Sequence, residues 1–280
     1  MPLPPSLPLP RSRAVLAALA AVVAAAVAAA PRAAHADDEA DPRDASYYWD
    51  GGALPFFWAA LGADYALRGW GIPRETPLLF DADEGGQPRA SWEIPNWAVR
   101  AGAGAVGLAI ALGGAGAEWY HVKGLAESVV TAGLVTTTLK LTFGRHRPDY
   151  VPGDTARKGR KSFPSGHATT LFVMATYSAL YLREHVFDRV RDPGSLVAPV
   201  EALAYAGIAA GATVLSLERV YHNRHHATDV LAGAAVGAAT SIAFFLYQEH
   251  RAGHPREAPA RALQPSFDRG SMVLQFGARF

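Results

Sequence analysis

The stretch KSFPSGHATT, Lys161 to Thr170, leads a basic side chain through a Pro-Ser-Gly turn to a histidine, then to small residues that open a helix. The first N–H groups of a helix have no partner within it and favour an anion. Gly166 has no Cβ and lets backbone approach a ligand, Ser165 adds a hydroxyl, and His167 a proton that titrates near neutral pH. The same residues also describe an ordinary helix cap with His167 exposed beside it. A second cluster, KLTFGRHRP, places Lys140 and Arg147 seven residues apart, close to two helical turns, so both cations share a face if the helix runs on to Pro148. Arg offers a planar fork suited to phosphate, and Lys a point charge. A basic helix end beside a C-terminal dipole has the same appearance.

The third cluster is LERVYHNRHHATDVLAG. His225 and Asp229 stand four apart, one turn from each other on a helix. A carboxylate there accepts the Nδ1 proton of the imidazole and leaves Nε2 free to attack an electrophile. Arg219 lies six residues before His225, off that face, so a break between them is expected. His222 and His226 read as rim residues. The run of His and Arg side chains also admits a metal site, although carboxylates to complete one are scarce nearby.

In this order, Lys140 with Arg147 and Pro148, then Pro164-Ser165-Gly166-His167, then Arg219 with His225 and Asp229 resemble the three-part signature of the type-2 phosphatidic-acid phosphatase superfamily. Class A bacterial acid phosphatases and vanadium haloperoxidases belong to the same superfamily. The resemblance covers Lys140 to Asp229 closely. It implies that His225 attacks phosphorus to form a phosphohistidine while Asp229 holds its ring. His167 would protonate the leaving oxygen and then activate water. Lys140, Arg147, Arg219, Ser165 and the Gly166 backbone would bind the phosphoryl oxygens, with no metal or other cofactor. One position departs: the family usually has Ser before the third-motif Arg, and here it is Glu218. A carboxylate there competes with the ligand for Arg219 or points away.

The resemblance also implies a substrate class. In a membrane the site faces lipid phosphates at the outer surface: phosphatidic acid, phosphatidylglycerol phosphate, undecaprenyl diphosphate or lipid A. A soluble bundle would suit a periplasmic acid phosphatase acting on small phosphoesters, and a haloperoxidase would hold vanadate in the same pocket.

The elements that must carry these residues read as all-α. In 280 residues, half are hydrophobic and 18% charged, so a substantial core is available. A net charge of +1 without a basic stripe gives no sign of a nucleic-acid partner. The absence of cysteine excludes disulfides, thiolate metal sites and cysteine nucleophiles. Arg11 and Arg13 precede an apolar run from Ala14 to Ala30, followed by the small-residue site Ala34-His35-Ala36. That is the pattern of a secretory signal over 1–36, with an uncleaved anchor as the alternative. Residues 37–96 then form a lead-in with one helix near Leu54–Trp70 and an irregular connection from Gly71 to Pro95. A bundle domain of about five to six helices over 97–248 follows. Its helices are expected near Trp97–Ala117, Leu125–Phe143, His167–Arg183, Pro199–Ser216 and Ala227–Tyr247. Val230–Gln248 is uncharged and long enough to span a bilayer, which favours a membrane-embedded bundle over a soluble one. The catalytic ends would then face the extracytoplasmic side. The basic loop Arg157, Lys158, Arg160 and Lys161 reads as a solvated rim. Residues 249–280 form a linker and tail. Its SMVLQFGARF alternates like one strand and resembles the last strand of outer-membrane barrels, but nothing barrel-like precedes it.

Overall fold

The structure is a computed structural model and describes residues 53–81, 85–88, 94–113, 119–151, 157–190, 196–251, 264–268 and 271–275. The signal-like segment and most of the lead-in before α1 lie outside these residues. Six long α-helices are present among the described residues: α1 Ala53–Trp70, α2 Asn96–Gly113, α3 Trp119–Phe143, α4 Gly166–Tyr181, α5 Val197–Tyr221 and α6 Ala227–Arg251. α4 continues through a π-helical stretch, Leu182–Phe187, into a last turn at Asp188–Val190. A two-stranded antiparallel hairpin, β1 Gln264–Asp268 and β2 Ser271–Gln275, closes the described chain. The alternating tail thus carries a strand, β2, paired with β1, which starts where the expected linker ends.

α4 is the central element and packs against α2, α3, α5 and α6. Leu125, Leu139, Phe163, Val173, Tyr177, Val236 and Phe245 form the main core between α3, α4 and α6. Burial of such side chains contributes roughly 1.5–3 kcal/mol each. The α4–α6 contact is unusually close because two glycines of α6 face α4. A Cβ on Gly233 would collide with the Ser165 carbonyl and stand 3.1 Å from Ala168 Cβ; one on Gly237 would meet Thr169 O and Val173 N. Ser241 Oγ donates to Val173 O at 2.9 Å along the same seam. Since Ser165 sits in the PSGH turn, this packing sets the distance between the second and third motifs. Gly233→Ala therefore pushes on backbone that cannot yield cheaply, a cost of about 1–3 kcal/mol. The expected result is a lower Tm together with reduced turnover; an unchanged Tm would refute this reading of the seam.

α5 and α6 are each long and apolar enough to cross a membrane. Leu203, Val214, Leu215 and Leu217 of α5 are exposed to the outside of the bundle.

The start of α3 and the end of α5 differ from the sequence reading. α3 begins six residues before Leu125, because His121 and Gly124 meet Tyr177 of α4 and Phe245 and Gln248 of α6. α3 ends at Phe143, where the sequence reading ends it, and does not run on to Pro148 as a shared face would need: Gly144 takes the left-handed conformation (φ 58°) and its N–H closes on Lys140 O at 3.2 Å. Arg147 is consequently off the helix, and the shared helical face proposed for Lys140 and Arg147 does not form. α5 runs five residues past Ser216 and carries Glu218 and Arg219 on its last turn.

Candidate active site

The turn between α5 and α6 positions His225. Asn223 adopts φ 53°, a left-handed conformation that Asn tolerates better than most residues. Its N–H bonds Val220 O at 3.0 Å, and Arg224 N bonds Arg219 O at 2.9 Å, the paired bonds of a Schellman cap. His225 N also donates to Arg219 O, at 3.1 Å. The break expected between Arg219 and His225 is therefore a tight cap, and the Arg219 carbonyl itself anchors the histidine. His225 is not on the helix with Asp229, since α6 starts at Ala227.

The two side chains still face each other. His225 Nδ1 lies 3.5 Å from Asp229 Oδ2, longer than a good hydrogen bond. Asp229 is fully buried and serves several donors at once. Its Oδ2 accepts from Ser162 Oγ at 2.5 Å and from His226 N at 2.9 Å, the latter a capping-box contact at the start of α6. Its Oδ1 accepts from Arg145 NH1 at 2.8 Å, and Arg145 also reaches Thr228 Oγ1 at 2.6 Å. Its backbone carbonyl accepts Ser165 N at 2.9 Å, which ties α6 to the PSGH turn.

Burial pushes the His225 imidazole down to about 3, with the positive charges of Lys140 and Arg147 adding to the effect and Asp229 opposing it. A neutral ring with an available nitrogen lone pair is the form a nucleophile requires. The same two cations bear on His225, so motifs one and three meet in space although Arg147 left the helix.

Ser165 is buried, and its Oγ has no hydrogen-bond partner among the described residues. Gly166 begins α4, whose first N–H groups are the ones without partners inside the helix. His167 is buried, not an exposed bystander. Its Nε2 donates to Ile94 O at 2.9 Å, and Ile94 N donates to Glu218 Oε1 at 3.2 Å. A single residue of the α1–α2 connection, through its backbone N–H and C=O, thus links the second-motif histidine to the unusual carboxylate.

Two expected site residues stand differently from the sequence reading. Lys140 Nζ donates to Lys161 O at 2.9 Å, Ser162 O at 3.2 Å and Pro164 O. All three of its protons go to the loop, so in this geometry Lys140 clamps the PSGH turn, and its positive charge acts on the pocket. Glu218 does not point away: its Oε2 lies 3.5 Å from Arg219 NH1, and its Oε1 3.7 Å from His222 Nε2. Of the basic rim, Lys161 reaches Gly71 O at 3.3 Å. The side chains of Arg157 and Lys158 lie outside the described ones.

Arg145, Ser162 and Ile94 were not found from sequence. Arg145 was overlooked because helical spacing selected Arg147, two residues on; Ser162 and Ile94 reach the site from loops that carry no periodic signal.

Glu218→Ser is expected to lower the Ki of inorganic phosphate or vanadate about tenfold, because an anionic group beside Arg219 repels the ligand. An unchanged or higher Ki in a direct inhibition assay would show that the carboxylate does not oppose anion binding.

The site's residues lie within a segment with known relatives. Residues 122–252 match the PAP2 superfamily model. A PA-phosphatase related-family protein of Dictyostelium discoideum is 33% identical over 137 residues, 46% of this chain and 49% of that protein. A lipid A 1-phosphatase of Porphyromonas gingivalis is 39% identical over 98 residues, 35% of this chain and 17% of that protein. The chain thus spans half or less of the length of these relatives. A transmembrane PAP2-type phosphatidylglycerolphosphate phosphatase from Bacillus subtilis, of known structure, is 18% identical, with a TM-score of 0.44 over 85% of this chain and 87% of that one. The segment that matches the PAP2 superfamily model, residues 122–252, holds all three motifs, brought together around one buried histidine.

Proposed function

We propose that the protein is a membrane-embedded hydrolase that removes phosphate from phosphorylated lipids through a phosphohistidine at His225, without a metal in the reaction. The observation that carries this reading is the buried, neutral His225 beside Asp229, whose carbonyl is bonded to the PSGH turn at Ser165 N, with a Ser165 hydroxyl that has no partner among the described residues. Relatives named for phosphatidic acid and lipid A support a lipid phosphate as substrate. The apolar exposed face of α5 and the length of α6 support a bilayer around the bundle.

In the first step a ring nitrogen of His225 forms a bond to phosphorus as the ester P–O bond breaks, and His167 delivers a proton to the departing oxygen. In the second, His167 takes a proton from water while that water attacks phosphorus, the P–N bond breaks, and phosphate leaves. In this reading Arg219, Arg147, Ser165 and the Gly166 N–H stabilise charge on the equatorial oxygens, the main demand of phosphoryl transfer. Lys140 serves by holding the turn. Asp229 fixes the ring of His225 and balances the positive charge it gains when phosphorylated.

Phosphate release by the detergent-solubilised protein, with EDTA present, tests the reading on phosphatidic acid, undecaprenyl diphosphate and p-nitrophenyl phosphate. Release from the lipids is the expected outcome. Activity on the soluble ester alone would reassign the protein to small phosphoesters, and no release from any of the three would overturn the hydrolase.

A further inference from the structure

A second cluster of titratable groups lies at the opposite end of the bundle and takes no part in the chemistry above. His121 begins α3, His185 sits in the π-helical stretch after α4, and Glu249 is near the end of α6. Each is eighteen to twenty residues along its element from the phosphate site, on the order of 30 Å at the rise of a helix. All three side chains are buried. His121 Nε2 is 2.8 Å from His185 Nε2, and each of these nitrogens is 2.8 Å from Glu249 Oε1.

That triangle is difficult to satisfy with protons. An ionised carboxylate only accepts hydrogen bonds, so both imidazoles must present N–H to Oε1. Two N–H donors then confront each other across 2.8 Å. If either proton moves to Nδ1, a nitrogen lone pair faces the carboxylate instead. One cation at the centre removes the conflict, because three lone pairs then converge on a single positive charge.

The geometry points to a binding site for a divalent transition cation of the zinc class, with His121 Nε2, His185 Nε2 and Glu249 Oε1 as its ligands. Two imidazoles and a carboxylate form a donor set for such ions, with bonds of about 2.0–2.2 Å. Tetrahedral ligands at that length stand about 3.3–3.4 Å apart, so the triangle opens by about half an ångström on binding. The surroundings are preformed for this. His121 Nδ1 lies 3.1 Å from Tyr177 Oη, which accepts its proton once Nε2 binds metal. Gly124 is what admits that hydroxyl, since a Cβ there would overlap it. The ring of His121 stacks on Phe245 at 4.8 Å and that of His185 on Tyr181 at 5.0 Å, which fixes both planes. π-helical turns are rare and frequently occur at functional sites; here one carries His185 to its partners.

One neighbour must move. Arg189 NH2 donates to His185 Nδ1 at 3.0 Å, which places the His185 proton on Nε2. Binding transfers that proton to Nδ1 and displaces Arg189, an exposed side chain one turn away. The ion then ties the ends of α3, α4 and α6 together, as a clip on the fold and not as a reagent.

The test uses untagged full-length protein in detergent, stripped with EDTA, passed over a desalting column, and supplied with zinc chloride alone. The expected result is one zinc retained per chain by elemental analysis and a Tm raised by about 5–10 °C at a hundredfold excess over Kd. Glu249→Gln is expected to retain less than a tenth as much zinc. Arg189→Gln, whose amide oxygen accepts from His185 Nδ1, is expected to bind about tenfold more tightly. Wild-type protein that retains no zinc, Glu249→Gln retaining as much as wild type, or Arg189→Gln binding no more tightly would each overturn the site. Should Glu249→Gln fail to fold, the Arg189→Gln comparison decides alone. These measurements read metal content and Tm, whereas the hydrolase is read by phosphate release below both melting temperatures, so the two can fail separately.

Discussion

His225→Ala is expected to lower phosphate release from lipid substrate at least about 10⁴-fold, because the nucleophile is lost and nothing nearby replaces it. His222 and His226 are close in sequence. His222 faces Glu218, however, and His226 lies against Asp229 through both its backbone N–H and its ring. Retention of even a hundredth of the wild-type rate would exclude His225 as the attacking group. A second readout does not depend on turnover. The folded chain keeps His225 neutral down to about pH 3, whereas in the unfolded chain the ring titrates near 6.5. The stability this contributes is complete above pH 6.5 and is lost as the pH falls toward 3, since only the unfolded state takes up the proton. One proton corresponds to about 1.36 kcal/mol per pH unit. His225→Ala should therefore show a shallower loss of stability between pH 6 and pH 4 than the wild type, in denaturant titrations without ligand. Equal slopes would mean that the ring is not held neutral.

Much of this site was legible because its chemistry is written in short, local spacings. Pro164 to His167 had to be a turn before a helix whatever the rest of the chain did, and α4 begins at Gly166. Arg219 and His225 required a break between them, and the Schellman cap with Asn223 provides it. The shared face for Lys140 and Arg147 was conditional on the helix running past its expected end at Phe143, and it does not. Gly144 was the visible stop signal, four residues before the proline credited with that role. With the helix ended there, Lys140 reaches loop carbonyls rather than sharing a face with Arg147. What was illegible is tertiary. Nothing in the spacing of His121, His185 and Glu249, each sixty-four residues from the next, announces that three atoms meet within 2.8 Å. The same holds for Ile94, which contributes only its peptide to His167 and Glu218. Sequence records side chains, and a contact made by backbone leaves no residue type to find.

Asp229→Asn separates the two duties of that carboxylate. The amide has one acceptor oxygen where the carboxylate has two, and Arg145, Ser162 and His226 N–H all donate to it. With the oxygen turned to Arg145, the amide NH₂ faces His226 N–H; turned the other way, it faces the guanidinium. Ser162 can reverse its hydroxyl and accept, but neither of the others can. A buried donor is stranded in both orientations, and in one of them the Arg145 charge loses its counter-ion. Breaking a buried pair of this kind costs about 3–5 kcal/mol, so Tm is expected to fall by roughly 10 °C. Turnover is expected to fall on the order of 10³–10⁴-fold, because the ring of His225 loses the charge that orients it and balances its phosphorylated form. The double variant Asp229→Asn with Arg145→Leu distinguishes the causes. Removing the guanidinium relieves the stranded cation, leaves an apolar side chain against Phe80, whose ring lies 4.1 Å from the Arg145 guanidinium carbon, and should recover most of the lost Tm. It restores nothing to His225, so kcat should stay low. If kcat rose along with Tm, Asp229 would be a structural clamp alone, and the orienting role assigned to it would have to pass to another group.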